Sequence, residues 1–343
     1  MKKLVLFLCS AVIFAGCFTE GAPALPGKVG PAGEVLVVCT EKVWNGPIGA
    51  AISEYLDRPY EVLPQIESQF DIVVLDPSEY DRFWKPHRNI LFIDVADRLD
   101  TKEPDLSFYR NRYSNGQIYV EAKGRTEEAV AGVIQERGEE LLSLLHAEEI
   151  KRVAALVKAY ENEAVAAALI ENHGFTMNIP RDAVKVMDNE EFIWIQRELT
   201  RMKGADNHDI KQGIFIYSYP YTSDTLFTFS SLLQKRNEFL ERYVKGEIPG
   251  SYMSTQMRVT PRYEEIAFNG KFAAEMRGLW RMEGDFMGGP FYMLSFLDEK
   301  TNRVITLDGY AYAPYFDKRE YIREVEAILR SFRFQEPEAK AAN

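Results

Sequence analysis

The chain has 343 residues, 27% of them charged, and a formal net charge of −11. A chain this acidic, with no basic stripe, excludes nucleic acid as a partner. Its three cysteines, Cys9, Cys17 and Cys39, are too few and too far apart for a disulfide framework or a zinc ribbon.

Lys2 and Lys3 precede an uncharged apolar run, Leu4–Ala15. That is the length of a signal-peptide core and too short to cross a bilayer, which takes about 20 residues. The run ends in Phe14-Ala15-Gly16-Cys17, which looks like a lipobox, with Phe14 where leucine is usual. Residues 1–16 are therefore expected to be a lipoprotein signal peptide, with Cys17 as the lipidated first residue of a mature protein held to an envelope membrane. Ala22-Pro23-Ala24 offers an ordinary cleavage site but lies well beyond the apolar run. Residues 17–33 are rich in Gly, Pro and Ala and read as a flexible tether.

Residues 34–173 are expected to form an α/β domain. Short apolar runs at Val35–Cys39, Phe70–Leu75, Asn89–Val95 and Ile118–Ala122 alternate with helical patterns, which implies a parallel or mixed sheet. The first helix runs to Leu56, and Asp76-Pro77-Ser78-Glu79 reads as a second helix start. From Thr126 to Asn172 the apolar spacing is helical, and two helices with a break near His146 are expected. Cys39 ends a strand and has the character of a buried apolar residue. The loop Thr40–Gly49 lacks the glycine pattern of a phosphate cradle. This half is the acidic one: Cys17–His173 carries 16 Lys+Arg against 27 Asp+Glu.

After the helix stop at His173-Gly174, residues 174–335 read as an α+β domain, followed by a disordered tail over 336–343. Strands are expected at Phe175–Ile179, Val184–Met187, Phe192–Arg197 and Gly213–Tyr219, then an amphipathic helix at Phe227–Val244. Asn269-Gly270 joins Tyr263–Phe268 to Lys271–Met282 as a two-residue hairpin. A second hairpin pairs Pro290–Leu297 with Arg303–Tyr312, and a last helix covers Lys318–Arg330. The fold class is thus mixed α+β: a short N-terminal sheet with long helices, then an antiparallel sheet with two helices.

Phe192-Ile193-Trp194-Ile195, Gly250-Ser251-Tyr252-Met253, Arg277-Gly278-Leu279-Trp280, Met287-Gly288-Gly289-Pro290-Phe291 and Lys318-Arg319-Glu320 together resemble the domain-of-unknown-function family 4837. Arg88-Asn89-Ile90 and Leu63-Pro64-Gln65 extend the resemblance into the first half. The resemblance implies an envelope lipoprotein of the Bacteroidota and no assigned chemistry. In element order the second domain is also similar to Mog1/PsbP-like folds, which usually serve as adaptors.

No catalytic motif stands out. His87, His146, His173 and His208 have no partner at metal-ligand spacing, and His146 and His173 fit helix ends. Gly250-Ser251-Tyr252 lacks the strand-to-helix setting of a serine nucleophile. Glu264, Glu265, Glu275, Glu283 and Asp285 share one sheet region, where solvated acids are expected unless two of them approach at hydrolase spacing. The candidate binding surface is Arg277, Arg281, Met287, Gly288, Gly289 and Arg319: arginines on an outward strand face beside a bare glycine loop. The expected function is non-catalytic binding of an envelope protein or cell-wall partner at a membrane, with no cofactor and no metal. The alternatives are a cell-wall glycan or peptide hydrolase using sheet carboxylates, and a small-ligand carrier with an apolar cavity between its domains.

Overall fold

A computed structural model describes residues 24–96 and 103–335. The expected signal peptide, Cys17 and the tail 336–343 lie outside the described residues. Over the described part the protein is a mixed α+β structure built on two main sheets. Among these residues no helix is long and apolar enough to cross a membrane.

The first sheet contains β1 (Glu34–Val38), β2 (Asp71–Leu75), β3 (Asn89–Val95), β4 (Asp105–Arg110) and β5 (Ile118–Gly124), in the order β2-β1-β3-β5-β4. All pairings are parallel except that of β4 with β5. Between β1 and β2 come α1 (Glu41–Trp44) and α2 (Pro47–Leu56). Pro47 opens α2, where its missing N–H costs nothing. Ile48, Ile52 and Leu56 of α2 pack on Val35, Val37 and Leu91. The other face, with Leu36, Val38, Ile90 and Tyr119, is covered by Tyr80 and Trp84 from the long connection after β2. No helix begins in that connection: Asp76 accepts hydrogen bonds from the Ser78 amide and hydroxyl and closes a local turn instead.

The helical region also departs from the expected break. A single helix, α3 (Glu127–Ala159), runs 33 residues and spans about 50 Å. Ala147, Glu148 and Glu149 are good helix formers, and both acids are held from below, Glu148 by Arg110 and Glu149 by Arg88 and Arg152. His146 is therefore mid-helix, not at an end. The interruption comes at 160–162, where the Asn162 side chain caps α4 (Glu163–His173), and Gly174 ends α4 in the left-handed conformation, φ +72°.

Two-residue strands β6 (Phe175–Thr176) and β15 (Arg333–Phe334) pair with each other. The main second sheet comprises β7 (Val184–Asp188), β8 (Phe192–Lys203), β9 (Asp206–Pro220), β10 (Tyr252–Gln256), β11 (Arg262–Phe268), β12 (Lys271–Glu283), β13 (Gly288–Asp298) and β14 (Arg303–Tyr312). Its order is β10-β12-β13-β14-β9-β8-β7, all antiparallel, with β11 pairing along the first half of β12. Asn269 (φ +51°) and Gly270 (φ +76°) form the β11–β12 turn in the left-handed region that the Asn-Gly pair permits.

Both faces of this sheet are buried. On one, α5 (Phe229–Tyr243) packs Leu232 and Leu240 on Met276, Trp280 and Met293. On the other, α6 (Arg319–Arg330) lays Ile322, Val325 and Leu329 on Ala273, Leu294 and Leu307, joined by Leu169 of α4 and Val157 of α3. The β12 face carrying Glu275 and Arg277 is therefore enclosed, although the alternation along β12 reads as polar and outward-facing.

The two parts are tied together at the start of α6. Arg319 donates to the Ser68 carbonyl and the Asp71 carboxylate, and the buried Arg323 reaches the Gln69 carbonyl. Gly33 (φ +72°) lies against Glu320, Arg319 and Arg323, with no room for a side chain. Residues 25–29, within the expected tether, run along the first sheet's loops: Asn115 donates to the Leu25 and Pro26 carbonyls, and the Val29 amide donates to the Pro86 carbonyl.

Candidate binding sites

The six expected surface residues separate into three places. Arg281, Met287, Gly288 and Gly289 come together in an open groove of about 760 Å³, with Arg258, Val259 and Phe286 beside them and Pro64 of the first part at its border. Arg277 lies elsewhere, under α6, and Arg319 is buried at the junction with Asp71.

The glycine pair is not a bare loop. Gly288 and Gly289 are the first residues of β13, opposite Arg281 and Trp280. The Trp280 indole crosses Gly289 to donate to the Ala311 carbonyl at 3.2 Å, and a Cβ on Gly289 would stand 2.2 Å from that carbonyl oxygen. Close approach is the reason for glycine here, and the approaching groups belong to the same chain. The turn itself is 284–287, with Gly284 at φ +81°. At its tip Phe286 is fully exposed. Arg281 donates to Glu283 at 2.6 Å and stays half-exposed.

A second site lies between the two parts, a cleft of about 510 Å³, within the usual range for small-molecule pockets. Its inner wall is a closed set of charges. Arg277 donates both Nη atoms to the two oxygens of Glu326 at 2.8 Å and its Nε to Glu275 at 2.9 Å. Arg330 joins the same two acids, donating to Glu326 at 2.7 Å and Glu275 at 2.6 Å. The Tyr292 hydroxyl donates to Glu275 at 2.7 Å, and its ring lies under both guanidinium groups. Burial alone would raise the Glu326 carboxyl, but Arg277 and Arg330 outweigh it and pull the group down to about 2.

The facing wall comes from α3 and the residues after α2. His146 meets Tyr60 edge-on and Phe70 at a tilt and shares a 2.7 Å hydrogen bond with the Gln69 side chain. Burial first, then the positive field of Arg323, lowers its imidazole to about 3, so it is neutral at physiological pH. At the rim, Arg58 holds Glu139 through two bonds of 2.6 and 2.9 Å, and Arg262 pairs with Glu61 and Glu264. A carboxylate held ionised by two arginines has no proton to give at neutral pH and is a poor base. This arrangement binds and orients better than it transfers protons.

Of the five sheet acids, Glu275 is buried in the cleft wall, and Glu264 lies directly across from it on β11, exposed at the rim of the same cleft. Glu265 is exposed, Glu283 is paired to Arg281, and Asp285 is half-buried in the 284–287 turn. Ser251 donates to the Ile248 carbonyl within a tight turn. Cys39 is 2% exposed, and burial pushes its thiol up to about 11. His173, at the end of α4, pairs with Asp188 at 2.6 Å. Among the described residues no cluster of His, Cys, Asp and Glu is placed to hold a metal ion. Sequence reasoning missed Glu326, Arg330 and Tyr292. The i,i+4 spacing of Glu326 and Arg330 is visible in the sequence, but not that this face of α6 meets Arg277.

A family profile described as a domain of unknown function, DUF4837, matches residues 162–331. The second part is a DUF4837 domain. Its match begins at the Asn162 cap of α4, so the DUF4837 domain includes α4, the antiparallel sheet, the groove at Phe286 and the inner wall of the cleft. A separate profile, the domain of unknown function DUF8532, matches residues 28–158 and takes in the first sheet and α3. The Leu63-Pro64-Gln65 and Arg88-Asn89-Ile90 motifs fall in this second region. No curated protein matches the chain.

Proposed function

We propose that this protein is a lipid-anchored, non-catalytic binding protein of the cell envelope, and that the groove beside the 284–287 turn of its DUF4837 domain meets the partner. The anchor rests on the lipobox at Cys17. The observation carrying the binding surface is Phe286, wholly exposed at the tip of a turn whose flanking strands are closely packed. It shares one groove with Met287, the half-exposed Val259, Arg258 and Arg281. Aromatic, methionine and arginine side chains on a preformed edge are the usual anchors of a protein interface.

The test is cross-linking capture from whole envelopes with wild type, Phe286→Ser and Cys17→Ala. A partner recovered with wild type and lost with Phe286→Ser supports the groove. The same partner retained with Phe286→Ser rules the groove out. Cys17→Ala protein appearing in the soluble fraction supports the anchor.

The interdomain cleft favours a second reading, a carrier of a small polar ligand. The cavity is where a carrier needs one, although its lining is charged and not apolar. Hydrolysis has less support, because Glu275 and Glu326 share two arginines and these hold the Glu326 carboxyl well below its ordinary range, the opposite of a general acid.

A further inference from the structure

We propose that the end of the first domain formed by residues 25–29, 80–88 and 109–116 lies against the lipid headgroups of the membrane that carries Cys17. The proposal rests on the anchor reading and adds the face that the anchor turns toward the bilayer.

Chain length constrains the orientation first. Leu25 is fixed to the domain by the Asn115 side chain at 2.9 Å, and Pro26 by the Asn115 amide at 2.8 Å. Val29 exchanges backbone hydrogen bonds with Pro86 and Arg88 at 3.0 and 2.9 Å. From Cys17 to Leu25 is eight residues, which reach at most about 28 Å when extended. The long helix α3 alone spans about 50 Å. The anchor therefore cannot present an arbitrary side of the molecule, and the loops around Leu25 stay near the lipid.

The chemistry of those loops then suits a headgroup surface. Phe83 is 74% exposed and meets Trp84 edge-on, and Tyr109 and Tyr113, both packed on Tyr119, are partly exposed rings of the neighbouring loop. Lys28, Arg82, Lys85 and Arg112 have no carboxylate within ion-pair distance among the described residues. The neighbouring Arg88 and Arg110 are committed to Glu149 and Glu148. Arg112 lies over the Tyr109, Tyr113 and Tyr119 rings, and Lys85 over Tyr113. The acid in the same turn, Asp81, accepts from the Phe83 amide. Four cations with no carboxylate partner among the described residues thus lie in these loops of a region with 16 basic residues against 27 acidic ones. Amphipathic rings beside lysine and arginine are the signature of the membrane–water interface, where the rings enter the headgroup layer and the cations meet anionic lipid.

Tryptophan fluorescence reads the contact directly. The mature chain beginning at Cys17 is coupled through that thiol to a maleimide lipid, the buried Cys39 being spared. The vesicles contain phosphatidylethanolamine and phosphatidylglycerol with brominated acyl chains, which quench nearby indoles. The expected result is quenching that disappears in Trp84→Phe and in Phe83→Asp and persists in Trp44→Phe, since Trp44 lies beyond the other end of β1. Quenching that is absent, or unchanged in Trp84→Phe, overturns the surface. The mass of the N-terminal peptide from native envelopes tests the anchor separately. An unlipidated Cys17 overturns both readings, whereas a lipidated Cys17 with no Trp84 quenching overturns this surface alone.

Discussion

Glu67 caps the helix that begins at Arg319. Its two carboxylate oxygens accept the backbone amides of Lys318 and Arg319, each at 2.7 Å. The acid comes from the DUF8532 region and the helix from the DUF4837 domain, so a helix cap does the work of a domain contact. The cap satisfies amides that would otherwise be orphaned and sets a negative charge at the positive end of α6. Glu67→Ala is expected to cost about 1–2 kcal/mol in urea unfolding. Glu67→Gln, which keeps one acceptor oxygen, is expected to cost less.

Acid stability should fall in two windows. His146 is depressed to about 3 in the folded protein from 6.5 when free. Its contribution is complete above 6.5 and is lost as pH falls toward 3. Linkage puts up to about 2 kcal/mol of that loss between pH 6.5 and 5. The facing charges are Arg323, Arg277 and Arg319, which oppose protonation, and Glu326, which favours it. Glu326 is likewise depressed, from 4.5 to about 2, so its share is present above 4.5 and lost below. His146→Gln is expected to flatten the upper window and leave the lower one. Thermal melts at half-unit pH steps read both.

Arg236 and Asp308 form a wholly buried ion pair at 2.9 Å, with the guanidinium 3.7 Å over the Phe291 ring and bonded to Thr255. Asp308→Ala strands a buried positive charge and is expected to cost about 3–5 kcal/mol. The double variant Arg236→Met with Asp308→Leu removes the stranded charge and should recover most of the loss. Chemical denaturation of the three proteins checks this.

Gly289 and Phe286 lie close in sequence and should behave in opposite ways. Gly289→Ala drives a methyl into the Ala311 carbonyl and the Trp280 indole, at an expected cost of about 1–3 kcal/mol. Phe286→Ser removes an exposed ring and should change stability by no more than about 0.5 kcal/mol. Its effect belongs to partner capture. Melting temperatures beside a capture assay separate the two.

Much of the fold was legible in the sequence. The runs at Asn89–Val95 and Ile118–Ala122 and the Asn269-Gly270 turn fall where periodicity and turn chemistry put them. The edge strand β4 and the short β10 were not anticipated, because neither carries enough apolar residues to mark a strand. The break expected near His146 does not occur, since Ala147, Glu148 and Glu149 are good helix formers and the two acids are paired to Arg88 and Arg110, which are distant in sequence, and to Arg152 on the same helix. Four of the six candidate surface residues, Arg281, Met287, Gly288 and Gly289, share a groove. Arg277 left it because α6 covers its face of the second sheet, and Arg319 because it is buried against Ser68 and Asp71 of the first part.

By itself the sequence determined the mixed α+β class, the order of most elements and the local turns, since each depends on periodicity or backbone preference within a short window. Only the tertiary structure decided which charges are solvated and which are spent. Arg277, Glu326 and Arg330 lie 49 and 4 residues apart along the chain, yet they close one network in the cleft. Pairing of that kind depends on the packing of α6 across β12, and nothing local to either segment encodes the partner.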